Sequence, residues 1–328
     1  TALKEFMNTK EKVVVMGHRL PDADSFGAAI GIYRAAKTLN KKAYIVIDNP
    51  TSSIIPLMNT FRDNQDYEAD MFVNNHEAKE IMDDNTLLVV VDTNKPSITQ
   101  CEDLLYMAKM IVVLDHHRQG SDTIRNSVLS YIEPYASSAS EMVAEILQYF
   151  TEGIRIRNVE ADSIYAGIMI DTDNFMQKTG VRTFEAAAFL RRCGADVTRV
   201  RKLFREDMND YKARGETIRN AELFRGQFAI SECPSDYVDS PTVVGAQAAN
   251  ELLNIVGVKA SFVLTEYKGV IYISARAIDE VNVQIIMERM GGGGHLNMAG
   301  CQLETVNMEG ARSLLKSTLT EMQDGGEI

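Results

Sequence analysis

Four runs of apolar residues punctuate the first half of the chain, at 13–16, 43–47, 87–91 and 111–114. They are continuous rather than alternating, so the strands they predict are buried on both faces, as parallel strands are. Helical periodicity fills 25–39, 76–82 and 101–109. Strands alternating with helices predict right-handed crossovers and a doubly wound layer. From 138 onward the pattern turns helical. Ser138 and Glu141 fit a capping box, and helices are expected over 158–170, 182–192 and, with interruptions, 197–224. The last of these is highly charged and has no long apolar stripe, so it reads as a connector. Beyond it come a strand at 228–231, a helix at 242–254, and strands at 261–267 and 270–277 around Lys268-Gly269, a hairpin signal. A helix at 281–290 runs into four glycines and His295, and a final helix covers 308–322. The expected fold is α/β. A doubly wound, mostly parallel sheet domain (1–195) is joined by a helical connector (196–223) to a smaller α/β domain (224–328).

A length of 328 residues suits two domains, each with its own core. Lys plus Arg is 34 and Asp plus Glu is 46, a formal charge of −12. That disfavours long nucleic acid held on a broad basic face. It leaves room for a small anionic substrate if positive charge is supplied locally. No apolar run approaches the roughly 20 residues of a membrane helix, so no membrane contact is expected of this stretch. Cys101, Cys193, Cys233 and Cys301 are widely separated, which fits a reducing, cytoplasmic setting rather than a disulfide framework. The chain starts on Thr1, not Met, and is expected to be a piece of something longer.

Histidine distribution carries the chemistry. His18 sits with Asp22 and Asp24 on the loop leaving the first strand and opening a helix. Ligands in α/β sheets bind at such carboxyl ends. Helix capping would explain Asp24 or Ser25 but not His18 and Asp22 as well. Asp92 follows the strand at 87–91, Asp115-His116-His117 follows the strand at 111–114, and Asp171 and Asp173 follow the apolar stretch 164–170. In extended chain adjacent histidines diverge, so at most one of His116 and His117 is expected to face a given ion. Two carboxylates 4 Å apart repel by about 4 kcal/mol at an effective dielectric of 20. Asp22, Asp24, Asp92 and Asp171 together therefore ask for cations or raised pKa values. Two divalent ions neutralise the four charges, with an acidified water between them. Mixed imidazole and carboxylate donors suit Mn²⁺ better than Mg²⁺, with zinc competing on raw affinity. In the second half, one glycine would cap a helix, whereas 291–294 supply four before His295. The excess points to close backbone approach to a bound substrate. Arg276, at the end of the expected hairpin, is a candidate phosphate partner. His76, beside Glu77 and Glu80, reads as a surface residue.

His18-x-x-x-Asp22-x-Asp24, Asp92, Asp115-His116-His117 and Asp171 resemble, in order, the four motifs of the DHH phosphoesterases. Gly291-Gly292-Gly293-Gly294-His295 resembles the hallmark of the accessory DHHA1 domain. With Met16-Gly17-His18, Gly27-Ala28-Ala29-Ile30-Gly31 and Asp171-Thr172-Asp173-Asn174-Phe175, the chain is most similar to the catalytic part of GdpP-type cyclic-di-AMP phosphodiesterases. The resemblance implies one metal on His18, Asp22 and Asp92, and a second on Asp24, Asp92, His116 and Asp171. His117 would lie beside the ligands or against the scissile phosphate. Arg276, Gly293, Gly294 and His295 would bind nucleotide. The implied reaction is hydrolysis of cyclic di-AMP to linear pApA by a metal-activated water, with His117, Asp92 and His116 as the catalytic set. It also implies the cytosolic catalytic fragment of a membrane-anchored bacterial protein, compatible with a homodimer. Thr93-Asn94-Lys95 departs from the basic or histidine-containing pair that follows the aspartate in many relatives.

Other readings stay open at this level. A nanoRNase acting on pApA and very short RNA shares these motifs. An acidic chain suits a processive exonuclease poorly, and a family II pyrophosphatase lacks the glycine-histidine signature. A non-catalytic cyclic-dinucleotide sensor would not need an intact ligand set.

Overall fold

The computed structural model describes residues 2–62, 64–205, 207–278 and 281–328. It falls into two compact units, Thr1–Arg205 and Glu206–Ile328. The first contains α1 (Ala2–Asn8), β1 (Lys12–Met16), α2 (Ala23–Thr38), β2 (Lys42–Val46), α3 (Ile55–Arg62), β3 (Phe72–Val73), α4 (Asn75–Ile81), β4 (Thr86–Val91), α5 (Asp103–Met107), β5 (Ile111–Asp115) and β6 (Leu129–Ile132). It ends with α6 (Ala139–Gln148), α7 (Asn158–Asp171), α8 (Val181–Arg192) and α9 (Val197–Leu203).

The six strands form one sheet in the order β3-β2-β1-β4-β5-β6. Every pairing is parallel. The continuous apolar runs are explained by two cores. Val13 and Val15, Leu87, Val89 and Val91, and Val112 and Leu114 enter the core shared with α2, α6 and α7. Their alternates Val14, Met16, Leu88, Val90, Ile111 and Val113 enter a second core with Ala78, Leu104 and Leu105 on the opposite face. The order reverses at β1, whose neighbours are β2 and β4, and a crevice opens outside the strand ends where such a reversal occurs.

The stretch 196–223, expected as a connector, carries two helices. α9 belongs to the first unit, with Val200 in its core. The second unit begins with α10 (Met208–Arg219), then β7 (Glu222–Phe224), β8 (Phe228–Cys233), α11 (Pro241–Leu252), β9 (Ala260–Tyr267), β10 (Val270–Ala277), α12 (Val283–Arg289), β11 (Gly293–His295), β12 (Met298–Leu303) and α13 (Met308–Asp324). Its sheet runs β11-β12-β10-β9-β8-β7, antiparallel except for β8 with β9. Lys268 and Gly269 form the hairpin turn, both with positive φ, 52° and 78°. One face of β10 (Ile271, Ile273, Ala275) packs on α12 and α13.

The capping box is half present. Ser138 accepts the Glu141 N–H at 3.0 Å, but the Glu141 carboxylate takes hydrogen bonds from Ser137 and Thr183 instead of the cap backbone. Among the described residues no helix is long and apolar enough to cross a membrane.

Candidate metal centre

The acids and imidazoles of the first unit converge at the carboxyl ends of β1, β4 and β5 and at the last turn of α7. His18 lies just beyond β1. Its loop is tied to the one after β4 by a bridge to Thr99, by Arg19 N–H to Ile98 O at 2.7 Å, and by Gln100 N–H to Gly17 O at 2.8 Å. Asp22, rather than Asp24 or Ser25, caps α2, accepting the Ser25 N–H on Oδ1 at 2.9 Å. Its Oδ2 stays 3.5 Å from His18 Nε2. Asp24 sits in the first turn of α2, and its carboxylate accepts Ala139 N–H at 2.7 Å and Ser140 N–H at 2.8 Å. The positive end of α6 thus faces a buried carboxylate.

Asp92 ends β4 in the left-handed region, φ 58°, which aspartate tolerates better than most side chains. It is 3% exposed, and its Oδ1 has no hydrogen-bond partner among the described residues. Its two oxygens face different imidazoles: Oδ2 lies 3.3 Å from His18 Nε2 and Oδ1 lies 3.3 Å from His116 Nε2. His116 Nε2 is also 3.7 Å from Asp24 Oδ2 and 3.7 Å from Asp171 Oδ2. Ligand atoms of His18, Asp22 and Asp92 lie within 4.8 Å of one another, as do those of Asp24, His116 and Asp171.

The adjacent histidines do not diverge as extended chain would have them. The chain leaves the strand at Asp115, and the two rings sit 4.4 Å apart, tilted. Their nitrogens are nonetheless committed differently. His117 Nδ1 is 2.8 Å from Asp115 Oδ1, which also accepts the His117 N–H at 3.1 Å. Asp115 is fully buried and its other oxygen accepts the Asn94 amide. Asn94 also donates to His117 O at 3.3 Å. The Asn94–Asp115–His117 chain was not apparent from sequence, where Thr93-Asn94-Lys95 stood out only as a departure. Asp173 does not join the cluster; its carboxylate accepts from Gln177 at 3.4 Å. His76 stays on the surface of α4 near Glu80.

Burial and like charge shape the titration. Burial alone would lower His18, but hydrogen bonds and charge from Asp22 and Asp92 outweigh it and push the imidazole up to about 10. His116 follows the same balance against Asp92, Asp24 and Asp171, reaching about 9. Burial, then the charges of Asp92 and Asp171, push Asp24 well above the carboxylate range. Asp171 rises chiefly through burial. Asp22 is pulled down by His18 despite its own burial. Among the described residues no lysine or arginine forms an ion pair with these carboxylates. A buried oxygen without a partner, four crowded acids and two imidazole nitrogens fit divalent cations.

In the second unit the glycines separate by cause. Gly291 has φ 85° directly after the α12 C-cap. A Cβ on Gly292 would sit 2.1 Å from Gly300 O. Gly294 has φ 150°, and a Cβ there would meet Ala299 Cα at 2.5 Å. Only Gly293 has neither demand: its Cβ would meet nothing within 4 Å. His295 is exposed on β11, its Nδ1 3.0 Å from Gly294 O. Arg276 is half-buried, with no carboxylate partner among the described residues and its Nε unsatisfied. Burial lowers its pKa from the usual value.

Comparison with known proteins agrees with this division. The family model "DHH family, N-terminal domain" matches residues 12–168, and the DHHA1 domain model matches 228–321. The chain is 42% identical to cyclic-di-AMP phosphodiesterase GdpP of Bacillus subtilis, over 99% of this chain and 50% of that protein. It is 39% identical to cyclic-di-AMP phosphodiesterase PdeA of Listeria monocytogenes, over 97% of this chain and 49% of that protein. The chain therefore spans about half the length of the curated relatives it matches. In fold it is similar to an exopolyphosphatase-related protein from Bacteroides fragilis, with TM-score 0.80 and 20% identity over 98% of this chain and 96% of that one.

Proposed function

We propose that the chain is a member of the DHH phosphoesterase family, joining a DHH N-terminal domain to a DHHA1 domain, and that it hydrolyses cyclic di-AMP to linear pApA using two divalent ions, most simply Mn²⁺. The observation that carries this reading is Asp92, whose two oxygens each stand 3.3 Å from a different imidazole. His18, Asp22 and Asp92 would hold one ion. Asp24, Asp92, His116 and Asp171 would hold the other. When bound, the ions acidify a water and neutralise charge on the phosphoryl oxygens.

The remaining roles fall to side chains. Asp115, an acceptor, keeps the His117 proton on Nδ1, and the half-exposed ring is left with Nε2 free to give or take a proton at the scissile phosphate. The water oxygen forms the new P–O bond, the P–O3′ bond breaks, and the 3′ oxygen leaves with a proton. Arg276, Gly293, Gly294 and His295 would hold the nucleotide. Arg276 is the best supported of these, because a half-buried guanidinium without a carboxylate partner among the described residues is complemented by an anion.

One chromatographic assay tests the proposal. Cyclic di-AMP, pApA and a short RNA are offered in parallel in Mn²⁺, with an EDTA control. Metal-dependent conversion of cyclic di-AMP to pApA, faster than use of the others, is expected. Preference for pApA or RNA would keep the centre and move the chain to the nanoRNase reading. Replacing Asp115, His116 and His117 together by alanine should abolish turnover and weaken the second metal site. Undiminished turnover would mean the chemistry happens elsewhere.

A further inference from the structure

The second unit contains a cavity of about 510 Å³ beside the glycine run, within the size range of small-molecule sites. It lies at β10 and β12, where Ile273 and Cys301 from the core shared with α12 and α13 form part of its wall. Along β10 buried Ile271, Ile273 and Ala275 alternate with half-buried Tyr272, Ser274 and Arg276, so the second set shares one face. Antiparallel pairing puts Gln302 opposite Tyr272 and Gly300 opposite Ser274 on that same face. Tyr272, Ser274 and Gln302 line the cavity, together with Gly300, Gly292 and Thr242 from the first turn of α11.

Among the described residues the lining has no lysine, arginine, aspartate or glutamate. That is a poor home for a phosphate and a good one for a flat, neutral, hydrogen-bonding ring. Tyr272 offers an aromatic surface. Gln302 offers a carbonyl and an amino group side by side, the pair that reads the edge of adenine in duplexes. Gly300 keeps the floor of the strand free of side chains. Arg276, four residues along β10 from Tyr272, lies about 14 Å away by strand rise, and its guanidinium has no carboxylate partner among the described residues. Phosphate-seeking and base-seeking groups therefore sit in order along a single strand face.

We propose that this cavity is a purine-base site in which Tyr272 and Gln302, with the hydroxyls of Thr242 and Ser274, hold one base of the substrate while Arg276 holds its phosphate. The assignment rests on the dinucleotide reading above and names side chains outside the glycine-histidine signature.

Equilibrium dialysis of the full chain against AMP and ribose 5-phosphate tests it, since the two probes share the phosphate and differ in the base. The unmodified chain should bind AMP at least tenfold more tightly. Gln302→Ala and Tyr272→Ala should each remove most of that difference, and Tyr272→Phe should restore it. Gln302 is exposed and Tyr272 half-buried, so melting curves should show both variants folded. AMP binding to both folded variants as tight as to the unmodified chain would overturn the proposal. Equal affinity of the unmodified chain for the two probes would also overturn it. Failure of the phosphodiesterase reading would look different: no turnover of cyclic di-AMP by the unmodified chain, with the base dependence of AMP binding intact.

Discussion

The acidic cluster of the first unit and the glycine-rich hairpin of the second are equally conspicuous in sequence, yet the structure accounts for them differently. At the strand ends, Asp24, Asp92 and Asp171 are brought together against the cost of burial and of mutual repulsion. Nothing in chain geometry requires that arrangement, and a ligand of opposite charge would account for it. In the hairpin most of the apparent excess dissolves into geometry. Gly291 takes a left-handed turn, Gly292 and Gly294 lie where a Cβ would strike backbone, and Gly293 alone is left over. An electrostatic coincidence is therefore strong evidence for function. A conformational one is weak until each residue's φ and neighbours are known.

The sharpest break of this contrast would be Asp92→Asn. Because Asp92 stands 3.3 Å from both imidazoles and would be a ligand of both proposed ions, metal content should fall from two ions to one or none. Turnover of cyclic di-AMP should drop on the order of 10³-fold. Elemental analysis beside the rate assay checks it; retention of both ions would remove Asp92 from the centre.

The next largest effect concerns pH. In the metal-free chain His116 and His18 hold their protons up to about 9 and about 10. Each ion must displace one of these protons, so each affinity should fall ~tenfold per pH unit as pH drops below 9. Calorimetric titration in buffers of different ionisation heat should show the released protons. Stability of the metal-free chain has the opposite sense. Both histidines are raised above their unfolded value of 6.5, so their contribution is complete below pH 6.5. It is lost as pH climbs through about 9 and about 10. Melting temperature without metal should decline over that window, and a flat profile would argue against a compact acid cluster.

Asn94→Ala tests the support beneath His117. It leaves the buried Asp115 carboxylate short of a donor, which should cost about 1–3 kcal/mol in denaturant unfolding. Turnover should fall along with it. The smallest effects compare neighbours in the hairpin. Gly294→Ala should destabilise by ~1–2 kcal/mol through its φ and the contact with Ala299. Gly293→Ala should melt like the parent and change only the KM for nucleotide. Similar melting of the two variants would erase the distinction between geometric and functional glycine.

Much of the first unit was legible in sequence because both faces of its sheet are covered, which writes burial as uninterrupted Val, Ile and Leu. The candidate site residues stood out because acids and imidazoles recur together at the ends of apolar runs. Elements with weak apolar signals were missed: β6 (Leu-Ser-Tyr-Ile), the two-residue β3, and the short β11 with its partner β12, where glycines read as a loop. The charged stretch taken as one connector proved to be two helices, one in each unit.

By itself the sequence determined the strand order of chemistry: which acids follow which strands, and that their crowding calls for cations or raised pKa values. Local pattern suffices there, because a strand's burial and its terminal residue are neighbours in the chain. Only the tertiary structure decided how each carboxylate is used. Asp24 is braced by backbone amides of α6 more than a hundred residues away. Asp115 turns from the cluster to hold His117, and Asp92 offers one oxygen to each side. These assignments depend on which lone pairs remain after distant donors have taken theirs, and that competition exists only once the chain has packed.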